Sequence, residues 1–312
     1  MLTRKEFLRN NLFAAGSMLT AGHLLEELSA DSKSYRLTVL HTNDVHSRID
    51  PFPMDGSANQ GLGGVALRAE IIEKIRREEE HVLLLDAGDI FQGTPYFNFY
   101  KGEPEIKAMS KMKYDATTIG NHDFDAGLEN LALQLTNHAT FPMLVANYDF
   151  TGTPMEYKHQ PYKIFKRGRV TIGVFGVGVE MAGLVPENLS AGTQYLDPVA
   201  KANEIGYLLK KQKKCDFVVC LSHLGNTYFD NKVSDKTLAM QSENIDLIIG
   251  GHTHTFLNAP IIYKNKKGDD IIVNQVGWAG INLGRLDFDF TKISGKKLSG
   301  SKSITVTKKT DQ

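Results

Sequence analysis

Leu37-Thr38-Val39-Leu40-His41-Thr42-Asn43-Asp44-Val45-His46 begins as an aliphatic, β-branched run and turns without a break into a cluster of metal-ligating side chains. The same change recurs along the chain. Residues 82–85 lead into Asp86-Ala87-Gly88-Asp89, and residues 116–119 into Gly120-Asn121-His122-Asp123-Phe124-Asp125. Residues 217–221 lead into Ser222-His223-Leu224-Gly225, and residues 247–249 into Gly250-Gly251-His252-Thr253-His254. Two more runs, 143–146 and 170–175, have strand composition without a polar cluster after them. Longer stretches with helical spacing fill the gaps: 64–80, 127–137, and a helix that Asp197-Pro198 opens as N-cap and first-turn proline and that runs to about Lys213. This alternation predicts an α/β fold built around sheets. Ligand sites in such sheets form at the carboxyl ends of strands, so the polar clusters should share one edge.

Outward from these motifs, residues 261–290 read as strands and hairpins with a lysine- and glycine-rich turn at 265–269. With no internal repeat and no interior linker, one domain is expected over about residues 34–292, followed by a polar tail, 293–312. The 312 residues carry 36 basic and 36 acidic side chains, a balance that argues against a nucleic-acid partner. Cys215 and Cys220 flank an apolar run at a separation of roughly 16 Å if extended, too far for a disulfide, and read as small core residues. The charged stretch 3–9, followed by a mostly apolar one to Leu25 and small residues to Ala30, resembles an export signal over residues 1–30, similar to a twin-arginine signal with Lys5 in place of the second arginine. A periplasmic or otherwise exported protein is expected. No later stretch approaches a membrane span.

The clusters permit specific chemistry. Asp44 and His46, two apart after a strand, offer an oxygen and a nitrogen to one divalent cation, and His252 and His254 do the same from another loop. Asp89 is placed to bridge two cations, while Asn121 adds an amide oxygen and His223 an imidazole. Two cations roughly 3.5 Å apart can hold a hydroxide between them and clamp a phosphate for in-line attack. His122, beside Asn121, should reach the phosphoryl or leaving-group oxygen, with Asp125 orienting its ring and favouring the imidazolium. His41 reads as a packing residue. His23, His81, His138 and His159 have no partners in sequence and read as surface residues.

Residues 41–44 (HTND), 120–125 (GNHDFD) and 251–254 (GHTH), with the glycines 277, 280 and 284, resemble the metallophosphatase superfamily. Within it they are similar to the N-terminal domain of the 5'-nucleotidase, UDP-sugar hydrolase and 2',3'-cyclic phosphodiesterase family. The resemblance covers about residues 36–289. It implies a four-layer αββα sandwich, one metal held by Asp44, His46, Asp89 and His254, and another by Asp89, Asn121, His223 and His252. It also implies His122 and Asp125 as the catalytic pair, and a mixed Asp, Asn and His donor set suits two divalent ions drawn from Mn, Fe, Co or Zn without choosing among them. The expected activity is a metal-dependent phosphoesterase that removes phosphate from nucleotides. The alternatives are a phosphodiesterase or pyrophosphatase acting on cyclic nucleotides or UDP-sugars, and a non-catalytic metal-bound subunit, which His122 and Asp125 argue against. Family members continue into a second domain whose aromatic residues clasp the nucleoside, whereas this sequence ends at Gln312. The expectation is therefore either a separately encoded protein of that kind as partner, or action alone on smaller phosphate esters.

Overall fold

Apolar residues on alternate positions of the central strands face two different cores, so each sheet must be covered on both sides. The computed structural model describes residues 35–291 and 295–308; the expected export signal lies outside them. In chain order the strands are β1 (Tyr35–Thr42), β2 (Val82–Asp86), β3 (Ala116–Thr117), β4 (Tyr148–Asp149), β5 (Tyr162–Arg167), β6 (Val170–Gly178), β7 (Gln194–Tyr195), β8 (Phe217–His223), β9 (Leu247–Gly250), β10 (Ile261–Lys264), β11 (Asp270–Asn274), β12 (Asn282–Thr291) and β13 (Gly295–Thr305). The helices are α1 (Val65–Glu78), α2 (Pro95–Tyr100), α3 (Glu103–Lys111), α4 (Gly127–His138), α5 (Pro198–Tyr207) and α6 (Asp235–Gln241).

A five-stranded sheet in the order β13-β12-β1-β2-β3 packs against a six-stranded sheet, β10-β11-β9-β8-β6-β5. Leu37, Val39, Leu83 and Leu85 of the first meet Val174, Phe217, Val219, Leu221 and Ile249 of the second in a core between the sheets. Leu40 and Leu84, on the opposite face, pack under α1, α3 and α4 through Ile72, Ile106 and Leu131. Val218, Cys220 and Ile248 lie under α5 and α6, against Ile205 and Leu238. The result is the expected layering of helices, sheet, sheet and helices. Both cysteines are buried and unbridged. Asp197 caps α5 as expected, its carboxylate accepting from the N–H groups of Val199 (2.8 Å) and Ala200 (3.0 Å).

Several elements depart from the expectation. The polar stretch after Ser294 is not a tail: residues 295–305 form the edge strand β13, antiparallel to β12, and Val306 beyond it is fully buried. Its alternation is masked by lysine and serine on the solvent side, which is how edge strands resist further pairing. Residues 143–146 are a crossing segment, not a strand of either sheet. The N–H of Leu144 bonds to Thr117 at the edge of the first sheet, and that of Ala146 to Gly176 in the second, each at 2.8 Å. The expected helix to Lys213 ends in a π-turn, Leu208–Gln212, with the N–H of Lys213 donating to the carbonyl of Leu208.

Candidate metal centre

Every strand that carries a polar cluster ends at the same edge, and the clusters from the two sheets meet across the seam. Asp44 and His46 follow β1, Asp89 follows β2, and Asn121 and His122 follow β3, all from the first sheet. His223 ends β8, and His252 and His254 follow β9, in the second. Two groups of ligand atoms result, Asp44 with His46 and His254, and Asp89 with His223 and His252; within each group the atoms lie inside 4.8 Å of one another. Each group draws on both sheets.

The loops are held by backbone bonds. The N–H of Asp44 donates to Gly88, that of His46 to Asp89 and that of Ser47 to Ile90, at 2.9–3.0 Å. Asp44 (φ 50°), His46 (48°), Asp89 (56°), His252 (72°) and His254 (51°) all adopt the left-handed region, which costs a non-glycine residue on the order of 1 kcal/mol each. Such strain persists only where surrounding bonds over-determine the conformation, and it clusters at functional sites. Gly88 (φ 88°) and Gly120 let the second and third loops touch backbone to backbone: a Cβ on Gly88 would lie 2.7 Å from the Gly120 nitrogen, and one on Gly120 would lie 2.5 Å from the Asp89 nitrogen.

The imidazoles are oriented from behind. Nδ1 of His223 donates to the Ala87 carbonyl (2.7 Å), which fixes the tautomer and turns Nε2 toward Asp89 Oδ2 at 3.1 Å. That Nε2 is fully buried and has no hydrogen-bond partner. Nδ1 of His46 donates to the Phe91 carbonyl (3.2 Å), leaving its Nε2 only 2.9 Å from Nε2 of His254. His252 Nδ1 lies 2.7 Å from Asn121 Oδ1. An orphaned buried nitrogen, two converging imidazole nitrogens and carboxylates between them form a donor set that fits divalent cations of the borderline type. Burial lowers the pKa of His46 and takes that of His252 down to about 4, whereas at His223 burial is outweighed by the attraction of Asp89 and Asp44, which raises the pKa to about 10, so a cation taken up there would displace a proton from that ring.

His122 and Asp125 also meet, with His122 Nδ1 to Asp125 Oδ2 at 2.9 Å. That hydrogen bond, outweighing partial burial and aided by the charge of Asp89, raises the pKa of His122. His41 is a buried packing residue, pushed down to about 3 by burial and accepting from Asn274 Nδ2 at Nε2 (2.9 Å). His81, expected at the surface, is partly buried and stacks on Tyr35.

Sequence reading passed over the residues that hold these loops. Asp123 accepts four backbone N–H bonds, from Asp89 (3.1 Å), Ile90 (2.9 Å), Phe91 (3.2 Å) and Gly120 (2.8 Å). Asp86 accepts from Thr42 Oγ1 (2.6 Å), Thr117 Oγ1 (3.0 Å) and the Gly88 N–H (2.9 Å). Asn43 donates to the Gly277 carbonyl and accepts from the Val276 N–H, tying the first loop to the segment after β11. Trp278 stacks on His254 at 5.7 Å, with ring planes 8° apart. The available signal for Asp123 and Asp86 was their position inside the motifs.

Two stacked sheets with helices outside, bearing carboxylates and imidazoles along one edge, are the architecture of the metallo-dependent phosphatases. The chain belongs to the calcineurin-like phosphoesterase family, whose pattern matches residues 37–256. It is 34% identical over 307 residues to a snake venom 5'-nucleotidase of Crotalus adamanteus, covering 89% of this chain and 50% of the relative. It is 35% identical over 285 residues to a 5'-nucleotidase of Vibrio cholerae, covering 83% and 49%. The solved 5'-nucleotidase precursor from Thermus thermophilus matches with a TM-score of 0.77 at 30% identity, over 88% of this chain and 55% of that one. The chain spans about half the length of these relatives.

Proposed function

We propose that the protein is a metal-dependent phosphoester hydrolase acting on nucleotide monoesters, with Asp44, His46, Asp89 and His254 holding one divalent cation and Asp89, Asn121, His223 and His252 a second. The observation that carries this reading is the adjacency of the two ligand groups, with His223 Nε2 3.1 Å from Asp89 Oδ2 and 3.9 Å from Asp44 Oδ1, and of the His122–Asp125 pair, whose imidazole lies 5.3 Å from the ring of His46. Bound cations of this kind supply an activated water and neutralise charge on phosphoryl oxygens. The chain's own part is positional and acid–base. Asp125 fixes the His122 ring and stabilises its imidazolium, so that the proton is available to the departing oxygen. The left-handed ligand residues and the bonds of Asp123 hold the donors in place before substrate arrives.

The test is phosphate release by the metal-loaded protein from nucleoside monophosphates, cyclic nucleotides, UDP-sugars and an aryl phosphate, with His122→Ala beside the wild type. Loss of at least about a hundredfold in kcat with metal content unchanged is expected, in the range of general acid catalysis. Equal activity of the variant would remove His122 from the mechanism, and release from cyclic nucleotides or UDP-sugars alone would replace the monoester reading. The export reading rests on residues 1–30 of the sequence. It predicts an exported form whose N-terminus, determined by mass, lies near Asp31.

A further inference from the structure

A cleft of about 1060 Å³ opens beside the metal centre and reaches His252. Its walls are the segment after β6, the approach to α5 and the segment after β8, so it belongs to the second sheet. His252 lines the cleft and stands in the second ligand group, so the cleft borders the place where a phosphoryl group would lie. A phosphate ester seated there has room for its organic part along this wall.

The lining decides what that part is. Tyr195, Tyr228, Leu184 and Leu224 present flat and aliphatic surface. Glu180, Asp197 and Asp230 add three carboxylates against one ammonium, Lys232. That lysine is already engaged, 3.9 Å from Asp230 and 5.7 Å above the Tyr228 ring. Such a surface accepts hydrogen bonds from hydroxyl and N–H groups, stacks on a planar ring, and repels a second anion. Resting on the hydrolase reading above, we propose that this cleft holds the leaving group of a phosphomonoester. The leaving group it selects is uncharged, carries hydroxyl or amine donors and a planar face, and is of nucleoside size. Substrates that would release an anion, such as a nucleoside diphosphate cleaved at its terminal phosphate, are disfavoured by the carboxylates.

The experiment uses the full metal-loaded chain and two variants away from the ligand groups. Glu180→Lys with Asp230→Lys reverses the exposed charges, and Ala182→Trp fills the cleft from an exposed lining position. The kcat/KM ratio of ADP (terminal phosphate) to AMP should rise roughly tenfold or more in the charge-reversed variant, as expected for removing two repulsive charges at partly solvated range. Turnover of p-nitrophenyl phosphate, too small to need the cleft, should stay within about twofold by the same argument. Adenosine binding by equilibrium dialysis should weaken in Ala182→Trp. An unchanged ADP to AMP ratio, together with adenosine binding indifferent to Ala182→Trp, overturns the cleft assignment alone. Absence of all turnover by the wild type at full metal occupancy overturns the hydrolase reading and the assignment with it.

Discussion

Asp123 lies in the third motif yet stands in neither ligand group, and replacing it tests whether the centre is held by the backbone or by the metals. Its carboxylate is almost fully buried and takes four N–H donors, two on each oxygen. Burial and the neighbouring charge of Asp89 push its pKa up to about 7, against the pull of those donors. At about 1 kcal/mol for each bond lost, Asp123→Ala should cost on the order of 4 kcal/mol, a large part of a typical domain's stability. Asp123→Asn keeps one oxygen and turns an amide toward the other two donors, so about half that loss is expected. The donors belong to the loop that carries Asp89 and to the turn before Asn121, and metal affinity should fall together with stability. Urea unfolding of the metal-free protein gives the first quantity, and Co²⁺ titration followed by absorbance the second. If Asp123→Ala unfolds within about 1 kcal/mol of wild type, the four-bond account is wrong. Unaltered Co²⁺ affinity would show that the metals organise the loops unaided.

Asp89→Ala should reduce bound metal from two equivalents to one or none by elemental analysis, because both groups depend on its carboxylate in the proposed assignment; two retained equivalents would refute the bridging role. Burial pushes Asp235 up to about 8, against the hydrogen bond from Ser222 and the charge of His223. Its raised folded-state pKa means that unfolding releases a proton between about pH 4 and about pH 8, so its contribution to stability falls as pH rises through that window. Asp235→Asn should therefore gain on the wild type as pH increases in urea unfolding of the metal-free protein; a pH-independent difference would contradict this. Truncation after Thr291 removes β13 and the buried Val306, and should lower stability by at least about 2 kcal/mol in the same assay, whereas a dispensable tail would leave it unchanged.

The strands that lead into the polar clusters were legible because most are apolar on both faces and each gives way within three residues to a histidine, aspartate or asparagine. Residues 217–223 show this best, every side chain being buried. Short elements were not legible. The helices α2 and α3, of six and nine residues, lie between two motifs and each starts at or next to a proline, so neither offers enough turns for a periodic signal. β5 and β13 are edge strands whose lysines hide the alternation. Residues 143–146 have strand composition because they are buried between two sheets, yet composition does not say which sheet they pair with. At the site, residue types and spacing marked the candidate ligands that the fold brings together but not the left-handed backbone of Asp44 and Asp89, since no glycine marks those positions.

Because each ligand group takes residues from both sheets, a cation bound there acts as a bolt through the sandwich. The stacked sheets share Phe217 and Phe288, whose rings lie 4.7 Å apart in the core between them. A substitution at that contact, remote from any ligand, would let one sheet slide on the other and spread the two halves of each coordination set. Metal affinity at the proposed site would thus report the alignment of the two sheets as well as the ligands themselves.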